Sequence, residues 1–392
     1  MRRVIFFMIF IGFIFPAHSS SETEKVKVAV IYGDVTYSAS GTKYDLEGVR
    51  LAVEDLNQHG GLLGRQVELI EFDNHGTAIG SRLAASKAVE AGVTAVIGPH
   101  SSSHALAAAP VLQEAGIPMI TTWATNPEVT LVGSYIFRVC FTDSFQGMIM
   151  ADFALQDLNA QTAVVLTCTE EKYSLGLAKI FISRLRQKGG TILWEGDYLR
   201  ESSDFRVLLE KVKELAPDVI FLPGYHSDSG YIIKQARNMG LTATFLGGDS
   251  WSINMYTFGG DTIEGSYYST HWDPTAPNQR SQEFVKRYEA KYPIDDINFF
   301  GLAHDAVFLL ADAVNRAKSL DPSMIRDALN ATENFPGLTG DITIDENGDP
   351  LKPLVISRFE NGASVYIKTV KPQLDMEDNG KMLRKRNDEE GE

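Results

Sequence analysis

Cysteine is almost missing from this chain: Cys140 and Cys168 are its only two in 392 residues. Two cysteines in a chain this long make no disulfide framework, and sequence alone leaves their pairing open because it cannot place their Cα atoms within bonding range. Nucleotide-cradling motifs are also missing. No G-x-G-x-x-G or G-x-x-x-x-G-K-[ST] follows any strand-like run, so the main phosphate-binding loops are excluded. Positive charge is scarce, with 36 basic against 51 acidic residues and a net charge of −15, which argues against a nucleic-acid surface. His100 and His104 stand four apart, but no glutamate sits between them as in H-E-x-x-H, so no metal is expected. Ser101, Ser102 and Ser103 lack the Gly-x-Ser-x-Gly elbow of a serine hydrolase, and no catalytic residue is assigned.

What is present begins with Arg2 and Arg3, an apolar run over 4–15, Pro16, and the small-residue stretch Ala17-His18-Ser19-Ser20-Ser21. The run is shorter than the roughly 20 residues needed to span a bilayer. The layout predicts a secretory signal peptide over 1–21, cleaved near Ser19 to Ser21, with an uncleaved anchor as the alternative. No cysteine follows the run, so lipid attachment is not indicated, and the mature protein is expected to be soluble and exported. The polar, charged segment 373–392 has no apolar periodicity and reads as a disordered tail.

The remaining length exceeds one hydrophobic core, so two domains are expected. Strand-like and helical patterns alternate: a strand at 26–32, a helix at 44–59 with Leu46, Val49, Val53 and Leu56 on one face, a strand at 67–72, and a helix at 79–91. Strands at 94–97 and 117–120 flank a helix at 103–115. The pattern restarts with strands at 162–167, 191–198, 218–222 and 244–246, separated by helices at 175–188, 205–215 and 228–239. Each half therefore reads as a βαβ sheet with helices on both faces, and two halves make a bilobal α/β protein with a cleft. Helices return between 279 and 330, followed by turn-rich short strands. No low-complexity linker joins the halves, which points to a multi-stranded hinge.

Two strand ends gather small polar residues, Gly98-Pro99-His100-Ser101-Ser102-Ser103 and Thr121-Thr122-Trp123-Ala124-Thr125-Asn126-Pro127. Open α/β sheets bind ligands at the carboxyl ends of their strands, and a helix starting near Ser102 would aim unpaired N–H groups at an anion there. The competing reading is that these serines are caps. In the second half, Tyr225 follows Phe221-Leu222-Pro223-Gly224, and Asp249 follows Gly247-Gly248. Paired glycines allow close backbone approach, and a carboxylate in an aromatic cleft needs a partner such as a ligand ammonium. Alone, Asp249 would read as an ordinary turn aspartate.

Taken together and in order, Gly48, Asn57-Gln58-His59-Gly60-Gly61-Leu62-Leu63-Gly64, Val96-Ile97-Gly98-Pro99, Ala124-Thr125-Asn126-Pro127-Glu128-Val129-Thr130 and Gly247-Gly248-Asp249-Ser250-Trp251 resemble the Leu/Ile/Val-binding type of periplasmic solute-binding protein. The resemblance covers roughly 25–371. It implies a type I periplasmic binding protein fold of two doubly wound βαβ lobes joined by a three-stranded hinge, lobe 1 over 25–142 and 272–348 and lobe 2 over 143–271 and 349–372. It implies that Ser102 and Thr125 hold a ligand carboxylate, that Trp123 and Ala124 line the pocket, that Tyr173 and Tyr225 close it from lobe 2, and that Asp249 takes the ammonium. The implied role is the exported receptor of an ABC importer that binds an amino acid or similar zwitterion and is recognised by a permease. No cofactor, metal or nucleic acid is implied, and a periplasmic monomer is expected. Trp123 stands where branched-chain binders often have a small residue, and Asp249 is shorter than the glutamate of some members, so the ligand itself does not transfer. Binders of amides, urea or aromatic acids on the same fold, and an exported hydrolase, are the alternatives.

Overall fold

The computed structural model describes residues 24–33, 42–200, 202–290 and 294–372. The expected signal peptide and charged tail lie outside the described residues. In chain order the first part runs β1 (Val26–Tyr32), α1 (Thr42–Gln58), β2 (Val67–Asp73), α2 (Ala78–Glu90), β3 (Ala95–Ile97), α3 (Ser102–Ala115), β4 (Met119–Thr121) and β5 (Ile136–Arg138). These strands form a parallel sheet in the order β2-β1-β3-β4-β5. β1 is buried at every position but Lys27, as a parallel strand covered on both faces should be. The α1 stripe of Leu46, Val49, Val53 and Leu56 is buried against one face of the sheet, and the alanines of α2 and α3 cover the other.

The second part continues with α4 (Asp143–Gln156), β6 (Thr162–Cys168), α5 (Lys172–Gln187), β7 (Thr191–Tyr198), α6 (Arg206–Leu215), β8 (Val219–Phe221), α7 (His226–Asn238), β9 (Thr244–Gly247), α8 (Met255–Gly259) and β10 (Tyr267–Thr270). The chain then gives α9 (Gln279–Tyr288), α10 (Ile294–Ala317) and α11 (Pro322–Asn330), with α10 and α11 packed beside α1 on the first sheet. It ends in β11 (Phe335–Gly337), β12 (Gly340–Ile344), β13 (Pro350–Leu351), β14 (Leu354–Glu360) and β15 (Ala363–Val370). The second sheet has the order β15-β14-β10-β9-β8-β6-β7, parallel from β10 to β7, with β14 and β15 added antiparallel on the β10 side. β11, β12 and β13 form a small antiparallel sheet.

The two large sheets repeat one plan. Each starts in the middle, turns to one edge, and returns past its first strand, so β1/β3 and β6/β8 are corresponding topological switch points. At such a point adjacent loops leave the strand ends in opposite directions and open a crevice. The chain passes between the two lobes three times, after β5, after β10 and after β13. Thr142 caps α4 at the first passage by accepting from the Phe145 N–H.

Several elements differ from the sequence reading. The strand expected over 117–120 begins at Met119, because Pro118 has no N–H to give the ladder and only its carbonyl is used, by the Val96 N–H. β5, α4 and β10 were not anticipated. β5 is three residues long and ends in an arginine, and α4 buries Asp143, Gln146 and Gly147 beside Met150 and Phe153, which hides its apolar stripe.

Candidate functional site

On the first lobe the site is built from the ends of β3 and β4. Gly98 takes φ +88°, and a Cβ there would fall 2.5 Å from the Ile31 carbonyl oxygen, so glycine is required for the turn that starts α3. The serines after it are not the caps weighed above. Ser101 stands at the N-cap without a side-chain cap bond, while the buried Ser102 hydroxyl accepts from the Asn126 N–H at 3.2 Å and so ties the two loops together. Ser102 keeps its own hydroxyl hydrogen for another acceptor. Thr121 Oγ1 donates to the Pro99 carbonyl at 2.6 Å and fixes the same pair of loops from behind.

Arg138 holds the second loop in shape. Fully buried, it donates to the carbonyls of Ala124 at 2.5 Å and Asn126 at 2.9 Å and to Thr130 Oγ1 at 3.0 Å, and pairs through Nε with Asp349 at 2.8 Å. With its carbonyls turned toward the guanidinium, the 124–126 segment presents Thr125, whose buried hydroxyl has no hydrogen-bonding partner among the described residues.

On the second lobe, Tyr173 lies in the first turn of α5 after β6, Tyr225 precedes α7 after β8, and Asp249 follows β9. The two tyrosine rings lie 5.7 Å apart, and the Arg200 guanidinium sits 5.0 Å over Tyr225 while donating to Glu171 at 2.8 Å. Gly248 has to be glycine, since a Cβ there would come within 2.2 Å of the Tyr173 hydroxyl. That close approach lets Ser250 N–H reach the Tyr173 hydroxyl at 3.4 Å and Asp249 N–H reach Gln146 Oε1 at 2.7 Å. Burial, with Asp249 and Asp143 nearby, pushes the Tyr173 hydroxyl well above its usual range, so it remains a phenol that can donate.

The lobes touch around this region. Asn126 Nδ2 donates to the Lys172 carbonyl at 2.9 Å, and Ser103 Oγ donates to Glu171 Oε2 at 3.2 Å. Trp123 lies with its ring 5.0 Å from His271, 5.7 Å from His100 and 5.6 Å from Phe299, and His271 Nε2 lies 2.9 Å from Asp249 Oδ2. Ser102, Trp123, Ala124, Thr125, Tyr173 and Asp249 are all buried and Tyr225 is half-buried. The seven residues named from sequence thus lie where the two lobes meet, joined through Asn126, His271 and the Tyr173–Tyr225 pair. Trp251 belongs elsewhere, in the core of the second lobe, stacked on Phe359.

Sequence reasoning missed Asp45, Asp143, Gln146 and His271. Asp45 lies in the first turn of α1, where an acidic residue reads as a partner of the helix dipole; instead it is fully buried and bonded by Thr122 Oγ1 at 2.7 Å and His100 Nδ1 at 3.0 Å. Gln146 joins three pieces, accepting from Asp249 N–H and Ser269 Oγ and donating to Asp143 Oδ1. Burial, then the neighbouring Asp249 charge, raises Asp143 well above the usual carboxylate range. Burial holds His271 down at about 4, so it is neutral at pH 7. No group of three or more His, Cys, Asp or Glu that would hold a metal occurs among the described residues. Cys140 and Cys168 are both buried and free, with burial pushing their thiols up to about 12 and about 11.

A family model described as periplasmic binding protein matches residues 25–363. The Leu/Ile/Val-binding protein homolog 1 of Brucella melitensis biotype 1 is 31% identical over 328 residues, spanning 81% of this chain and 85% of that protein. The leucine-, isoleucine-, valine-, threonine- and alanine-binding protein of Pseudomonas aeruginosa is 29% identical over 306 residues, 77% of this chain and 81% of that protein. Among solved structures, the leucine binding protein LivK of Thermotoga maritima is 35% identical, with a TM-score of 0.83 and coverage of 88% of this chain and 99% of that one. The LivJ branched-chain amino acid transporter substrate binding protein of Streptococcus pneumoniae, solved with isoleucine, is 29% identical with a TM-score of 0.82, covering 89% of this chain and all of that one (100%).

Proposed function

We propose, for a chain that belongs to the periplasmic binding protein family, that it is the substrate-binding receptor of an ABC importer and takes a small zwitterionic amino acid between its lobes. The relatives named as amino-acid binding proteins support that reading. The observation that carries it is the pairing of opposite chemistries across the cleft. Ser102, Thr125 and the start of α3 offer donors from one lobe, and Asp249 Oδ1, buried and without a partner among the described residues, offers an acceptor from the other. An α-carboxylate suits the first set and an α-ammonium the second. A ligand that touches both lobes favours the closed arrangement and shifts the hinge equilibrium toward it.

The moving bodies are residues 25–142 with 272–348 and residues 143–271 with 349–372. The receptor acts in the periplasm as a monomer after losing residues 1–21, delivers its closed form to a permease, and performs no chemistry on its ligand. The test is a thermal-shift and calorimetric screen of amino acids, amides and aromatic acids. A true ligand at a hundredfold excess over its Kd adds about 2.7 kcal/mol to native stability, a rise of several degrees in Tm. Recovery of the ligand unchanged after incubation excludes the hydrolase. Absence of any shift with amino acids, together with a shift from an amide or aromatic acid, would replace the zwitterion with that class.

A further inference from the structure

Five side chains form an unbroken line through the cleft. His100 Nδ1 lies 3.0 Å from Asp45 Oδ2, the His100 ring stacks on Trp123 at 5.7 Å, Trp123 meets the His271 ring edge-on at 5.0 Å, and His271 Nε2 lies 2.9 Å from Asp249 Oδ2. At one end of this line three atoms lack a hydrogen-bonding partner among the described residues: Trp123 Nε1, His271 Nδ1 and Asp249 Oδ1. None of the three residues exposes more than 8% of its surface, so solvent does not serve these atoms. Buried polar groups are almost always paired, and three partnerless ones on side chains that touch in turn, Trp123 to His271 to Asp249, mark a place built for a polar guest.

The chemistry of the three atoms sorts the guest. Asp249 Oδ1 is taken by the α-ammonium in the reading above, on which this inference rests. Two atoms remain. The His271 Nε2–H points at the Asp249 carboxylate, which leaves Nδ1 of the neutral ring as an acceptor that needs a donor. The indole Nε1–H of Trp123 is a donor and needs an acceptor. A branched aliphatic side chain would leave both unpaired and desolvated. A cationic side chain would leave the Trp123 N–H unanswered, and an anionic one would leave His271 Nδ1 without a donor. A hydroxyl or a carboxamide both donates and accepts.

We infer that this receptor selects an amino acid whose side chain carries a neutral hydroxyl or carboxamide over the branched aliphatic amino acids, and that Trp123 and His271 make that selection. A site built to bond a polar group rejects the analogue lacking it far more strongly than an apolar pocket rejects an added hydroxyl.

Calorimetry with isosteric pairs reads this directly. Threonine against valine changes one methyl for a hydroxyl at constant shape, and asparagine against leucine changes a branched alkyl for a carboxamide. The expected result is at least a tenfold tighter Kd for the polar member of one pair or both. Trp123→Phe keeps an aromatic ring and removes the N–H, and should reduce that ratio several-fold; His271→Phe does the same for the acceptor if the first variant fails to fold. Valine or leucine binding as tightly as its polar counterpart overturns the selection while leaving the amino-acid receptor standing. A polar preference that both variants leave unchanged overturns the assignment to these residues. No response to any amino acid overturns the receptor reading and this inference together.

Discussion

His271 Nε2 and Asp249 Oδ2 are 2.9 Å apart at the ends of the neighbouring strands β10 and β9, with the histidine 1% and the aspartate 4% exposed. The contact occupies one carboxylate oxygen and orients the other, so Asp249 is aimed before any ligand arrives. A carboxylate held in place loses little freedom on binding, which is where preorganised sites gain affinity.

Asp249→Asn keeps the size of the side chain and an oxygen that can still accept from His271, but removes the charge. A hydrogen bond to a charged group is worth about 1.5 to 3 kcal/mol, so amino-acid affinity should fall roughly ten- to hundredfold. The melting temperature of the unliganded protein should stay within a few degrees. Calorimetry with an unchanged Kd would take Asp249 out of the ammonium site.

His271 also gives a pH signature. Burial lowers it from an ordinary value near 6.5 to about 4, against the pull of Asp249, with Lys352 and His100 also facing it. Between those values the unfolded chain binds the proton and the folded one does not, so the histidine contributes a loss of stability as pH falls from about 6.5 to about 4 and no pH dependence above that. Asp143 and Asp228 act in the opposite sense, because both are raised, Asp228 to about 6, and hold protons in the folded state. The total curve mixes these, but the variant isolates one. The difference in stability between His271→Gln and the parent should move in favour of the variant as pH drops from 7 to 4, by up to about 3 kcal/mol. A difference that stays constant with pH, measured by denaturant melts, would mean that His271 titrates in the folded protein as it does in the unfolded chain.

How much of this was legible beforehand depended on whether a residue announced itself by its neighbours in sequence. Ser102, Thr125 and Asp249 sit in strand-end clusters of glycine and small polar residues, and a sheet puts such ends together. The apolar stripe of α1 was equally readable. Asp45 was hidden inside that stripe, where its role depends on Thr122 and His100 arriving from β4 and β3. His271 was hidden because β10 has only four residues and its contact with Asp249 spans 22 positions. α4 was hidden because the face it buries is polar, and polar burial is settled by partners that periodicity cannot see.

Arg138 shows what that polar burial costs to disturb. Its guanidinium is fully enclosed, paired with Asp349, and holds two carbonyls of the loop that carries Thr125. Arg138→Met fills the space but removes the charge that pairs with Asp349 and the guanidinium donors to both carbonyls. Breaking a buried pair from one side costs about 3 to 5 kcal/mol, so the melting temperature should fall by many degrees and ligand affinity with it. A variant that melts like the parent would show the loop to be held by its other bonds, Thr121 to Pro99 and Asn126 to Ser102.

Gly176 tests closure separately from folding. It lies in α5 on the second lobe, where a Cβ would come 2.8 Å from Asn126 Nδ2 on the first. Asn126 cannot swing away freely, because its Oδ1 accepts from the Glu128 N–H and its Nδ2 bonds the Lys172 carbonyl across the cleft. In Gly176→Ala the added methyl therefore pushes on the opposite lobe. Within the helix, alanine is favoured over glycine by about 1 kcal/mol, so the unliganded protein should melt at the same temperature or slightly higher. Affinity should fall several-fold, since the ligand must now close the lobes against that contact. Scattering with saturating ligand should show a larger radius of gyration than the liganded parent. Stability and affinity moving in opposite directions is what a hinge-coupled site requires; a parallel loss of both would mean that Gly176 matters for packing and that the lobes do not need to meet there.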